Sequence, residues 1–248
     1  MQWDPDRYLA YADERGRPYV DLIGRIAADD PATVVDLGCG PGNLTALLKQ
    51  RWPHADVVGV DSSPEMVAAA RADGVRFELG DISTWSGSAD VIVSNAALQW
   101  VPGHLTLLPA LADRARSWFA LQVPGNFEAP THTLRRELAE DSRFEPYLYD
   151  VARPDAFGPE VYLEVLQRRG WEVDAWETTY LHVLTGPDPV FTWVSGTGAR
   201  PTLHALPEGL REEFEAEFKR RLHDAYPDRG HGVVLPFRRV FVVAQVPA

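Results

Sequence analysis

Apolar and polar positions along this chain follow two periods. Short runs rich in β-branched residues, at 33–36, 56–60, 75–82, 89–94 and 117–123, alternate with stretches whose apolar residues fall three and four apart. The second kind covers 43–51, a segment opened by Ser63-Pro64, and 103–114, where Leu105, Leu108 and Leu111 share a side. Ser63 reads as a helix N-cap followed by Pro at the first turn. Strands alternating with helices in this way predict an α/β fold, a mostly parallel sheet with helices on both faces. Before the first strand, Tyr8, Tyr11, Val20, Leu22, Ile23 and Ile26 stand at helical spacing. They predict a helical cap over 1–30, with Gly16 and Pro18 breaking it into two helices.

Beyond residue 126 the alternation loosens. Pro130, Pro146, Pro154 and Pro159 punctuate short helical pieces, one of them over 131–140, and 127–160 reads as an insertion after the fifth strand. A helix over 159–169 and an alternating strand over 171–184 follow. A second irregular insertion over 186–230 carries an amphipathic helix at 208–226, with Leu210, Phe214, Phe218 and Leu222 four apart. The last strand is expected at 238–246. No repeat or linker divides the chain, so a single domain over 1–248 is expected, with the two insertions serving a substrate.

The most distinctive turn joins the first strand to its helix. Asp36 closes the strand, and Gly38, Gly40 and Gly42 alternate through the turn, a pattern that lets a ligand lie directly on the main chain. The spacing is not the dinucleotide fingerprint. Asp36 would repel a pyrophosphate but suits a cationic or amine-bearing ligand.

The run Asp36-Leu37-Gly38-Cys39-Gly40-Pro41-Gly42-Asn43 resembles the first motif of the class I S-adenosylmethionine-dependent methyltransferases, a Rossmann-like family. Asp61 at the end of the second strand, Asp81-Ile82 after the third and Asn95 after the fourth stand where further landmarks of that family would fall. The resemblance implies a seven-stranded sheet whose last strand is antiparallel, and S-adenosylmethionine as cofactor. It implies that Asp36, Gly38, Gly40, Gly42 and Asn43 meet the methionine portion, that Asp61, with Ser62 and Met66 behind it, holds the ribose, that Asp81 and Ile82 flank the adenine, and that Asn95 lies near the sulfonium. Gln2-Trp3-Asp4-Pro5, the segments 95–100, 122–126 and 193–201, and Leu235-Pro236-Phe237-Arg238-Arg239 further resemble the trans-aconitate 2-methyltransferase family. That resemblance implies methylation of a carboxylate of trans-aconitate, with S-adenosylhomocysteine as the other product.

For such an acceptor the candidate residues are Trp3, Tyr8, Trp100, Asn126, His132, Arg153, Trp193, Thr197, Arg200 and Arg238, because arginine pairs with carboxylates through two parallel hydrogen bonds. Arg238 and Arg239 would point to opposite faces of a strand, so at most one serves. A carboxylate is already ionised at neutral pH and needs no general base; His132 and His231 are the groups available if the acceptor were a hydroxyl.

Charge narrows the partners. A net charge of -12 disfavours nucleic acid and anionic membranes and leaves a small-molecule carboxylate drawn in by local arginines, on a monomer or weak homo-oligomer. One cysteine, Cys39, excludes a disulfide framework and reads as a packing residue, and the scattered histidines assign no metal. With acids near the start and no apolar run approaching about 20 residues, a cytoplasmic protein is expected. A methyltransferase acting on another acid or a natural-product hydroxyl, and a non-catalytic cofactor-binding regulatory module, remain open alternatives. Glycine spacing and Asp36 disfavour a nicotinamide-dependent oxidoreductase.

Overall fold

The computed structural model describes residues 12–151 and 153–247. Seven strands, β1 (Thr33–Leu37), β2 (Asp56–Asp61), β3 (Val75–Leu79), β4 (Ala89–Asn95), β5 (Ala115–Pro124), β6 (Glu172–Leu184) and β7 (Val233–Gln245), form one sheet in the order β3-β2-β1-β4-β5-β7-β6. The pairings from β3 through β5 are all parallel, and β7 runs antiparallel to β5 from Trp118 opposite Gln245 to Pro124 opposite Arg239. Strand order reverses at β1, which has β2 on one side and β4 on the other. In open α/β sheets such a reversal leaves a crevice at the carboxyl ends of the strands.

The described residues divide into two compact units, 12–125 with 155–178 and 239–247, and 126–151 with 153–154 and 179–238. In the first unit, α1 (Ala12–Gly24) packs on the β5 region of one sheet face. On the other face α4 (His104–Ala112) and α7 (Pro159–Gln167) bury Leu108, Leu111, Tyr162 and Leu166 against Ile92, Phe119 and Val123. Between the strands on the β1–β3 side run α2 (Thr45–Arg51) and α3 (Pro64–Ala69), the latter capped by Ser63, whose Oγ accepts from the Met66 N–H at 3.2 Å. Trp176 stacks flat on Phe241, ring centroids 4.9 Å apart, and the Arg25 guanidinium lies over Trp176.

The second unit contains α5 (Pro130–Ala139), α6 (Glu145–Leu148), α8 (Pro189–Ser195), α9 (Arg200–Ala205) and α10 (Glu208–Ala225). Its centre is aromatic. Phe144 meets Phe214 edge-on at 5.1 Å, Phe218 packs beside Phe214, and the predicted stripe of α10 buries Phe214, Phe218 and Leu222. His182 stacks on Trp193 at 4.7 Å, with Phe237 against both.

Two sequence expectations are corrected. One helix runs unbroken through Gly16 and Pro18, because Pro18, Tyr19, Leu22 and Ile23 form a continuous buried side whose packing outweighs the hydrogen bond that Pro18 cannot make, while Val20 faces solvent. Strand β7 begins at Val233 rather than 238, since Val233 and Leu235 are already buried on alternate positions.

Candidate functional site

The glycine turn follows β1 directly, and its shape comes from backbone contacts with β2. The N–H groups of Gly38 and Cys39 both donate to the Val60 carbonyl, at 2.7 and 3.1 Å, and the Gly40 N–H donates to Asp61 Oδ2 at 2.8 Å. Gly38 and Gly40 adopt φ of +83° and +56°, in the left-handed region that favours glycine. Their surroundings differ. A Cβ on Gly38 would sit 2.2 Å from the Ala97 side chain, whereas one on Gly40 would meet nothing within 4 Å. Gly38 is therefore a packing requirement, and Gly40 leaves open space above the main chain.

Two acids frame this turn. Asp36 is only 2% exposed, and its Oδ2 accepts from Thr45 Oγ1 at 2.7 Å and Tyr19 Oη at 3.1 Å. Burial lifts its carboxyl to about 6, the two hydrogen bonds pull the other way, and nearby Asp61 adds a small upward push. Asp61 uses one oxygen for Gly40 and the other for the Ser63 N–H at 2.9 Å, which leaves each oxygen a second lone pair for a hydroxyl. Farther along, Ser62 is exposed and Met66 is buried, while Asn43 in the turn is half-buried. Asp81 is exposed and accepts at Oδ1 from the Ser83 N–H and hydroxyl, which hold its carboxyl below the usual range; Ile82 is buried near the position a Gly38 Cβ would take. Cys39 is buried, and burial pushes its thiol well up, as a packing residue requires.

Register extends the site along one sheet face. Asp36 lies opposite Val93 of β4 and Asn95 lies opposite Gln122 of β5, so Asp36, Asn95 and Gln122 share a face at the carboxyl ends of their strands. Among the described residues, Asn95 Oδ1 and both amide atoms of Gln122, a residue 1% exposed, are buried and find no hydrogen-bond partner. Buried polar atoms of that kind are exceptional in a folded interior and mark where a ligand or ordered water belongs. Between them the chain turns through Ala96 at φ +51°, and Gln99 Nε2 donates to the Ala96 carbonyl at 2.5 Å. Trp100, half-buried, ends the short 3-10 turn that follows.

Trp3 and Tyr8 lie outside the described residues. Asn126, His132, Arg153, Trp193, Thr197, Arg200 and Arg238 all belong to the second unit. There the structure brings His132 against the turn that carries Thr197 and Arg200, since a Cβ on Gly198 would lie 3.2 Å from His132 Cε1. Thr197 Oγ1 donates to the Trp193 carbonyl at 3.3 Å, Arg200 is buried at the start of α9, and Arg153 is exposed. Burial, then the guanidinium groups of Arg135 and Arg136, drive the His132 imidazole to about 3, so it is neutral and a weak base at physiological pH. Of the two adjacent arginines in β7, Arg239 is the buried one; it belongs to the first unit and lies on the face of Phe241, which is opposite Gln122.

Several residues here went unread in the sequence. Tyr19 and Thr45 escaped because their contact with Asp36 joins positions 17 and 9 apart from it. Gln122, a lone amide in an apolar strand, and Arg135, an arginine on the buried side of α5, each left a signal as a polar residue at a core position.

Residues 34–117 match the family described as "Methyltransferase domain". Across nearly the whole length, the chain is 51% identical to the trans-aconitate 2-methyltransferase of Mycolicibacterium gilvum, over 98% of this chain and 99% of that one. It is 49% identical to the protein of that name from Streptomyces avermitilis, over 99% and 97%. Among solved structures, a magnesium protoporphyrin IX methyltransferase from Synechocystis with bound S-adenosylhomocysteine aligns with a TM-score of 0.52 at 14% identity, covering 97% of this chain and 84% of that one. A mycolic acid cyclopropane synthase aligns with a TM-score of 0.56 at 14% identity, covering 93% and 83%. These two likenesses show the shared class I fold.

Proposed function

The chain belongs to the trans-aconitate 2-methyltransferase family, and from that membership we propose that it transfers a methyl group from S-adenosylmethionine to a carboxylate of trans-aconitate, giving the monomethyl ester and S-adenosylhomocysteine. The observation that carries this reading is identity near 50% over at least 97% of both this chain and those relatives.

The residues of the glycine turn fit the cofactor. Gly40 leaves room for a ligand on the main chain, Asp36 and Asp61 present carboxylates suited to an amine and a diol, and Asn95 Oδ1 is a buried acceptor that finds no donor among the described residues. In this reading Asp36, with Gly38, Gly40, Gly42 and Asn43, receives the methionine portion. Asp61, backed by Ser62 and Met66, takes the ribose hydroxyls, Asp81 and Ile82 border the adenine, and Asn95 lies towards the sulfonium. When bound, the cofactor supplies an electrophilic methyl group on a positively charged sulfur. A carboxylate acceptor, already ionised at neutral pH, would ask the protein for no general base. The protein's work is alignment and exclusion of water, which together supply several powers of ten in rate. Burial and the neighbouring Arg135 and Arg136 hold the His132 imidazole down to about 3, and we propose that it meets the acceptor as a neutral group.

Trp3, Tyr8, Trp100, Asn126, Arg153, Trp193, Thr197, Arg200 and Arg238 are proposed to receive the acceptor, within one domain over 1–248 whose 1–30 cap and 127–160 and 186–230 insertions serve it. No described helix is long and apolar enough to cross a membrane. A cytoplasmic monomer or weak homo-oligomer without nucleic-acid partners completes the proposal. Incubation with methyl-labelled S-adenosylmethionine and trans-aconitate tests it. Base-labile label is expected in trans-aconitate, and label appearing only in an uncharged acceptor would overturn the assignment.

A further inference from the structure

Arg135 is a buried charge that nothing among the described residues balances. Helix α5 turns Thr131, His132, Arg135 and Leu138 inward, positions three and four apart that form one side of the helix. Arg135 is 9% exposed, yet the charged groups acting on it are cations, Arg136 and Arg153. Its neighbour Arg136 is placed quite differently, pairing with Glu128 at 3.2 Å and donating to the Phe127 carbonyl at 3.1 Å. Burial first, and then the like charges, lower Arg135 to about 10, so it keeps its proton at neutral pH. Burying a cation without a counter-charge is among the costliest arrangements a fold can hold, and buried charges are as a rule paired. Beside it His132 is neutral, held edge-on to Phe127 at 5.0 Å, and adds a ring N–H donor without adding repulsion.

We propose that Arg135, with His132 beside it, forms a carboxylate-binding subsite within the second unit that takes one carboxylate of the methyl acceptor as a bidentate ion pair, with exposed Arg153 drawing the anion in. The guanidinium's planar fork matches a carboxylate, which a lysine's point charge would not. This rests on the acidic-acceptor reading given above and assigns the residue that selects for acidity.

The test uses the full chain loaded with S-adenosylhomocysteine, titrated calorimetrically with mono-, di- and tricarboxylates including trans-aconitate. Arg135→Met should weaken binding of the preferred acid at least about 10-fold, and Arg135→Lys by a smaller factor. Affinity for S-adenosylhomocysteine should not change. Because the variant loses an uncompensated buried charge, the Tm of acceptor-free Arg135→Met should rise, by about 2–4 °C. A structural arginine would give the opposite, a lower Tm. Parental affinity in both variants, a Tm that falls in Arg135→Met, or a parent that binds no carboxylate overturns the subsite. Should Arg135→Met fail to fold, a structural role is shown and the subsite is again overturned. The two readings separate cleanly. Full methyl transfer to trans-aconitate by Arg135→Met sinks the subsite and leaves the reaction standing, whereas carboxylate binding that depends on Arg135 without any methyl transfer supports the subsite and sinks the reaction.

Discussion

Replacing Asp36 with Asn probes the acid at the centre of the candidate cofactor site. The side chain is 2% exposed, and burial raises its carboxyl from an ordinary 3.8 to about 6. Because the folded pKa is raised, the folded state holds this proton more tightly than the unfolded chain. The stability that the proton contributes is fully present below about pH 4 and is lost as pH rises through 6. A shift of roughly two units corresponds to about 3 kcal/mol. Asn does not titrate, and since Thr45 and Tyr19 both donate to Oδ2, its carbonyl oxygen can keep both bonds. Any constant cost of the new amide cancels when one pH is compared with another. The difference in unfolding free energy between variant and parent should therefore move by about 2 kcal/mol or slightly more in favour of Asn between pH 4 and pH 8. Urea unfolding of both proteins at half-unit pH steps measures it. Two stability curves that run parallel across that range would refute a raised, buried Asp36. The same variant should bind S-adenosylhomocysteine more weakly at pH 8, where the parent offers an ionised partner for an ammonium group.

Asp61→Ala should weaken S-adenosylhomocysteine binding by about 1.5–3 kcal/mol per lost hydrogen bond, with Asp61→Asn milder because it keeps an acceptor; unchanged affinity by calorimetry would remove Asp61 from the site. Gly38→Ala should destabilise the fold, since its Cβ would fall 2.2 Å from Ala97, while Gly40→Val should mainly abolish cofactor binding; thermal unfolding beside calorimetry reads both. Replacing Arg153, Arg200 or Arg238 with Met should lower kcat/KM for trans-aconitate roughly 10-fold with cofactor affinity constant, and parental rates in all three would remove them from the acceptor's path. Tyr162→Phe takes away the hydroxyl 2.8 Å from His104 Nε2 and should cost about 1–3 kcal/mol of stability in urea unfolding without touching cofactor affinity.

The alternating periods in the sequence were enough to place five parallel strands and their helices, because burial on a sheet or helix face imposes its own repeat on the chain. The glycine turn and Asp61 were legible for a related reason. Positive φ at Gly38 and Gly40 and an acid at a strand end are local requirements, written within a few residues. Continuity of α1 through Pro18 was not legible, since it depends on what the helix packs against and propensity alone argues for a break. Neither was the state of Asp36, a carboxyl whose protonation is set by Tyr19, Thr45 and the loss of water, or that of Arg135, whose missing counter-charge shows only once its surroundings are assembled. Of Arg238 and Arg239 the sequence could say that they face opposite ways; which one is buried was decided by the register of β7 against β5. Local conformation is encoded where it occurs, but dielectric surroundings and charge balance are sums over distant residues, and those exist only in the folded chain.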